Sequence, residues 1–99
     1  MEGIVIRYEY DGDEAAWRSA VDTFIEAVKA DAEIAGKFHY AVNKAGDGKT
    51  RIHVGRWDKE ETVKTVQSRD YFKTFSQAVQ KLGGESLTPT RVSLYRETA

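Results

Sequence analysis

Phe38-His39-Tyr40-Ala41-Val42-Asn43-Lys44-Ala45-Gly46-Asp47-Gly48-Lys49-Thr50-Arg51-Ile52-His53-Val54-Gly55-Arg56-Trp57 is the stretch on which the fold turns. Two alternating segments flank Gly46-Asp47-Gly48, residue types that accept the positive φ of a tight turn, so the spacing predicts a β-hairpin. Phe38, Tyr40 and Val42 form one face of the outgoing strand, with His39, Ala41 and Asn43 on the other. On the return strand Ile52 and Val54 form the apolar set, while Arg51, His53 and Gly55 form the other. If both apolar sets face one core, Val42 lies near Ile52 and Tyr40 near Val54. That register needs an odd turn of three or five residues, because slipping by one residue exchanges the faces of a strand. A two-residue loop at Asp47-Gly48 would instead set Val42 opposite His53.

Upstream, Ile4-Val5-Ile6-Arg7-Tyr8-Glu9-Tyr10 alternates as a half-buried strand, with Ile4, Ile6, Tyr8 and Tyr10 sharing a face. Asp11 and Glu14 have capping-box spacing, and Trp17, Val21, Phe24 and Val28 recur with helical period, predicting a helix over Glu14–Ile34 that stops at Gly36. Downstream, Asp58 and Glu61 signal a second helix start. Val63 and Val66 begin its stripe, and Phe72, Phe75, Val79 and Leu82 continue it after a restart at Ser68, up to Gly83-Gly84. A last strand over Thr90–Glu97 follows Pro89, a residue suited to an edge because it lacks a donor. The order is β-α-β-β-α-β. It predicts an α+β, ferredoxin-like single domain over 1–99: a four-stranded antiparallel sheet with both helices on one face.

The chain has 99 residues, 15 Lys plus Arg, 16 Asp plus Glu, a net charge of -1 and no cysteine. Disulfide scaffolds, thiolate metal sites and cysteine nucleophiles are therefore excluded. No apolar run approaches the ~20 residues of a membrane span, and no secretory signal opens the chain, so a cytoplasmic address is expected. Balanced charge gives no reason to expect nucleic acid or an anionic membrane as partner. The third strand also lacks the stacking aromatics of RNA-binding ferredoxin-like domains.

With Ile4, Ile6, Tyr40, Val42, Ile52, Val54, Val92 and Leu94 assigned to the helix side, the opposite face carries Arg7, His39, His53 and Arg91. This polar face is either solvated or the interior of a homodimer. His39 and His53 become diagonal neighbours there; with Glu9 as the only nearby carboxylate, no metal site is assigned. Gly46-Asp47-Gly48 is no phosphate loop, because no helix follows it. Trp57 closes a strand ahead of a helix, either sealing the core or stacking on a planar ligand with its indole N–H as donor.

Gly55-Arg56-Trp57-Asp58-Lys59-Glu60-Glu61, followed by Ser68-Arg69-Asp70-Tyr71-Phe72, resembles the antibiotic-biosynthesis-monooxygenase-like family: a strand ending in Trp, an acidic helix start, then a helix opening at a small residue before Phe. The Glu33–Tyr40 stretch is similar to that family's Glu-Pro-Gly…Tyr segment, one residue longer and without the Pro. The resemblance implies a dimeric α+β barrel that binds a small hydrophobic or aromatic molecule between sheet and helices. Trp57, Tyr8, Tyr40 and Tyr71 would shape the pocket. It further implies cofactor-independent monooxygenation of an aromatic or polyketide-like substrate, with a non-catalytic ligand-binding or oligomerisation domain as the alternative. Three departures bear on this, one being that the first-strand Asn of haem-degrading members is absent here, where the chain has Arg7 and Tyr8. A histidine common in the family falls at Val66, and the axial histidine of haem-degrading members falls at Ser76. Serine cannot replace imidazole on haem iron, so haem degradation is not expected.

Overall fold

A computed structural model describes residues 1–98. The elements run β1 (Glu2–Glu9), α1 (Glu14–Ala30), β2 (Phe38–Lys44), β3 (Thr50–Trp57), α2 (Glu60–Ser68), α3 (Asp70–Gly83), a 3-10 turn (Gly84–Ser86) and β4 (Thr88–Ser93). The sheet is antiparallel throughout, in the order β2-β3-β1-β4. This is the expected ferredoxin-like arrangement, with α2 and α3 as its interrupted second helix. The interruption falls at Arg69, whose backbone is extended. β4 is an edge strand, so Pro89 removes no needed donor.

Helix α1 ends at Ala30, four residues short of the predicted Ile34. The chain turns out at Asp31, whose carboxylate accepts from Arg69 Nε at 2.9 Å and from the Tyr71 hydroxyl at 2.7 Å. The first cap also differs from expectation. Asp13, not Asp11, accepts from the Ala15 amide, and Glu14 reaches Arg51 and Lys44 instead of closing a box. At the second helix start Asp58 accepts from the Thr62 hydroxyl and the Lys59 amide, with Glu61 uninvolved.

The larger correction is the hairpin register. Val42 pairs with His53 and Tyr40 with Gly55. Ala45 bonds to Thr50, leaving the even turn Gly46–Lys49, in which Asp47 accepts from the Lys49 and Thr50 amides and the Thr50 hydroxyl. An even turn flips β3. Arg51, His53, Gly55 and Trp57 face the helices, while Ile52 and Val54 face out. β4 is reversed in the same sense: Pro89 and Arg91 oppose Ile6 and Ile4, so Val92 points away from the helices beside Gly3. Leu94 is exposed beyond the strand, which stops at Ser93.

The outer surface is accordingly more apolar than the sequence reading allowed. Ala41, Val54, Val5 and Thr90 form one row across it, with Ile52 and Val92 in the neighbouring rows. Arg7 and His39 do lie there, both exposed. His53 and Arg91 do not. Helix-side packing centres on Phe24 and Phe75, stacked with ring centroids 4.0 Å apart, and on Tyr40, edge-on to Phe24 at 5.0 Å.

Candidate functional site

Between the sheet and α2–α3 lies a cavity of about 240 Å³. Ile4, Ile6, Phe24, Phe38, Val63, Val66, Phe72, Phe75 and Val79 make its wall mostly apolar, and Tyr40, Trp57, Gln67, Ser76, Gln80 and Arg91 supply the polar groups. An apolar cleft with a few convergent polar groups is the usual chemistry of a small-molecule site, and this one is somewhat smaller than the usual range of roughly 300–1,000 Å³. Val66 and Ser76 both line it.

Register explains how the polar groups arrive there. Tyr40, Gly55, Ile4 and Arg91 form one row across the inner face. Gly55 leaves the space into which the Tyr40 ring leans: a Cβ there would lie 3.1 Å from Tyr40 Cδ1. Trp57 follows two residues later and is 2% exposed. Its Nε1–H is buried and has no hydrogen-bond partner among the described residues. An orphaned buried donor is destabilising by about 1–3 kcal/mol unless something absent accepts from it. The Arg91 guanidinium sits 5.0 Å from the centre of the same indole ring. Arg91 has no carboxylate partner among the described residues, so a donor and a cation flank one end of the cavity unopposed.

The other tyrosines of the sequence reading are not brought to the cavity wall. Tyr8 is fully buried, accepting from Trp17 Nε1 at 2.7 Å and lying 2.8 Å from His53 Nε2. Tyr71 spends its hydroxyl on Asp31. His53 is also fully buried, with Tyr40 Oη 2.9 Å from its Nδ1. Burial lowers its pKa to about 4, so the ring is neutral at pH 7. The expected His39–His53 contact is absent, because the two lie on opposite faces of the sheet; Glu9 is exposed at the sheet's end, paired with Thr50. Among the described residues no three His, Asp or Glu side chains come together as a metal-binding group.

Arg51 was not singled out from sequence, yet it is 1% exposed on the helix side. Its guanidinium donates to both Glu14 oxygens and to the Tyr10, Gly48 and Lys49 carbonyls, and it lies 4.2 Å from the Trp17 ring centre. That side chain is a structural tie and offers the cavity nothing. Among the described residues no helix is long and apolar enough to cross a membrane.

No protein-family model matches the chain, and no curated protein sequence matches it. Solved structures do. Rv0793 from Mycobacterium tuberculosis superposes with a TM-score of 0.79 at 15% identity, covering 99% of this chain and 98% of that one. A candidate antibiotic biosynthesis monooxygenase from Deinococcus radiodurans gives 0.75 at 15% identity, covering 100% and 97%. SnoaB, a cofactor-independent oxygenase from Streptomyces nogalater, gives 0.71 at 14% identity, covering 98% and 94%. At these identities the likeness establishes the fold, shared from end to end.

Proposed function

We propose, from a fold shared with antibiotic-biosynthesis-monooxygenase-like structures, that this protein binds a small aromatic or hydrophobic molecule in the cavity beneath Trp57. We further propose that it does so as a homodimer joined through the outer faces of its sheets. Trp57, which lines an apolar cavity and whose buried Nε1–H has no partner among the described residues, carries the first part. A ligand oxygen placed there would accept from the indole, and Arg91 would balance charge developing on it. As an enzyme, the protein would oxidise such a substrate without a cofactor: the bound aromatic loses a proton, and its carbanion reduces oxygen directly. The surrounding residues need then only orient the ring, exclude water and stabilise the anion.

The homodimer is supported by the two-sided apolar patterning of the sheet. Val5, Ile52, Val54 and Val92 face away from the helices, and an apolar sheet face is stable when a second layer covers it. A second copy offers a matching face about a two-fold axis. Light scattering at micromolar concentration is expected to give twice the chain mass, falling to one chain in Val54→Arg; a wild-type mass of one chain refutes the dimer.

Oxygen uptake against hydroquinones and anthrones tests the chemistry. Turnover by the wild type that falls at least tenfold in Trp57→Phe supports the oxygenase. Saturable binding with no oxygen consumption supports the alternative, a ligand-binding module, for which Val66 and Ser76 in place of histidines argue. Failure of any aromatic compound to bind refutes both.

A further inference from the structure

Three side chains of the inner sheet face and one from α1 make a continuous chain of hydrogen bonds: Trp17 Nε1 to Tyr8 Oη at 2.7 Å, Tyr8 Oη to His53 Nε2 at 2.8 Å, and His53 Nδ1 to Tyr40 Oη at 2.9 Å. β-sheet geometry assembles it, since His53 opposes Val42 and Ile6, which makes Tyr40 and Tyr8 its diagonal neighbours on either side. Tyr40 alone of the four also lines the cavity.

The direction of the chain follows from donor and acceptor arithmetic. An indole N–H only donates, so Tyr8 Oη accepts from Trp17. A neutral imidazole has one donor and one acceptor nitrogen, which leaves two arrangements. If His53 carried its proton on Nε2, Tyr8 would accept twice, and its own hydroxyl hydrogen would be stranded in a fully buried position. If the proton is on Nδ1, Tyr8 donates to Nε2, and His53 donates to Tyr40 Oη. Every buried hydrogen is then used. The one left over belongs to the Tyr40 hydroxyl, which has no other partner among the described residues.

We propose that Trp17, Tyr8 and His53 are positioning residues that turn the Tyr40 hydroxyl into an outward donor at the cavity wall, selecting ligands with an oxygen acceptor over hydrocarbons of the same shape. This rests on the reading of the cavity as a ligand site. Charge is not involved: burial keeps His53 neutral and raises the Tyr40 phenol above its ordinary pKa, so the hydroxyl stays a donor at neutral pH. Tyr40 at the cavity wall then offers a hydrogen to a ligand carbonyl or oxyanion, beside the buried Nε1–H of Trp57.

The test has two arms. Nitrogen-15 NMR of the full chain reads the His53 tautomer, with His39→Gln assigning the other histidine. The expected state is Nδ1–H, inverting to Nε2–H in Tyr8→Phe, a change that loss of packing alone would not produce. In the second arm 1-tetralone and tetralin are titrated, a ketone and a hydrocarbon of nearly the same shape. The ketone is expected to bind at least tenfold tighter. Tyr40→Phe should erase at least fivefold of that preference while leaving tetralin within twofold. A wild-type Nε2–H tautomer with binding intact overturns the chain alone. Equal weakening of both compounds in Tyr40→Phe overturns the selection. Failure of both to bind, with the Nδ1–H tautomer present, overturns the ligand site on which the proposal rests.

Discussion

The two ends of β3 bury side chains of similar bulk on the same face and treat them in opposite ways. At the first end Arg51 gives its hydrogens to Glu14 and three backbone carbonyls and rests on the Trp17 ring. At the last end, among the described residues, Trp57 leaves its single hydrogen unused, and Arg91 lies over the ring with no carboxylate beside it. Burial of a charge demands partners, and the Arg51 end has them all from its own chain. Trp57 is equally buried with its donor unanswered among the described residues, while the Arg91 beside it is exposed. A strand that is saturated at one end and wanting at the other separates what holds the fold from the end at which we propose that a ligand binds.

Breaking the saturated end should have the largest effect. Arg51→Met keeps the aliphatic stem but strips the hydrogen bonds, leaving the Tyr10, Gly48 and Lys49 carbonyls and the Glu14 carboxylate unanswered. Glu14 is one-third exposed at its side chain, so water relieves part of that loss. A destabilisation of about 3 kcal/mol is expected from urea midpoints. Tetralone affinity, measured where the variant is still folded, should stay within twofold. A tenfold loss of affinity would show that the two ends are not separate.

This division is also where the sequence was hardest to read. Element order and helix break followed from periodicity, caps and glycines, because those signals are local. The sidedness of β3 did not, since hydropathy put Ile52 and Val54 inside. Both faces of this sheet are apolar in places, so hydropathy alone could not choose between them. The parity of Trp57 held the answer: a tryptophan sealing the core shares its face with Gly55, His53 and Arg51. A strand glycine marks close approach of another group, here the Tyr40 ring, and pointed the same way. What no local pattern could supply were the partners that make buried Arg51 and His53 tolerable. Glu14 is 37 residues from Arg51, and Tyr8 is 45 from His53. Of the pocket residues, Trp57 and Tyr40 are at the cavity. Tyr8 and Tyr71 are not, because their hydroxyls are held by His53 and Trp17 in one case and by Asp31 in the other.

Between the two ends, His53 gives the comparison a pH axis. Its ordinary pKa of 6.5 falls to about 4 in the folded chain through burial. Below 6.5 the unfolded chain takes up a proton that the folded chain refuses, so stability is full above that pH and declines as pH falls toward 4. The linkage amounts to about 2 kcal/mol between pH 7 and pH 5. The carboxylates whose pKa values are lowered by their partners, Glu14 and Asp31 among them, respond lower still, starting from ordinary values of 4.5 and 3.8. Denaturant midpoints over pH 5–7 should therefore slope in the wild type and be flat in His53→Phe. A wild-type profile that is flat there would mean His53 is not buried neutral, and the hydrogen-bond chain to Tyr40 would lose its central link.

The smallest stability effect belongs to the incomplete end, and its smallness is the point. Trp57→Phe removes some buried ring volume, which is destabilising, and also removes an N–H that has no acceptor, which is stabilising. The two offset one another, so the folded state should change by less than about 1.5 kcal/mol. An indole held by a protein acceptor would lose that bond as well, adding about 1 kcal/mol to the loss. Ligand binding should respond in the other proportion: an acceptor-bearing ring such as tetralone is expected to bind at least fivefold more weakly, with tetralin little changed. Stability and affinity thus move independently at Trp57, whereas Arg51→Met moves stability alone. If Trp57→Phe destabilised the fold as much as Arg51→Met and left the tetralone preference intact, the indole would be core material like any other, and the asymmetry along β3 would have no functional meaning.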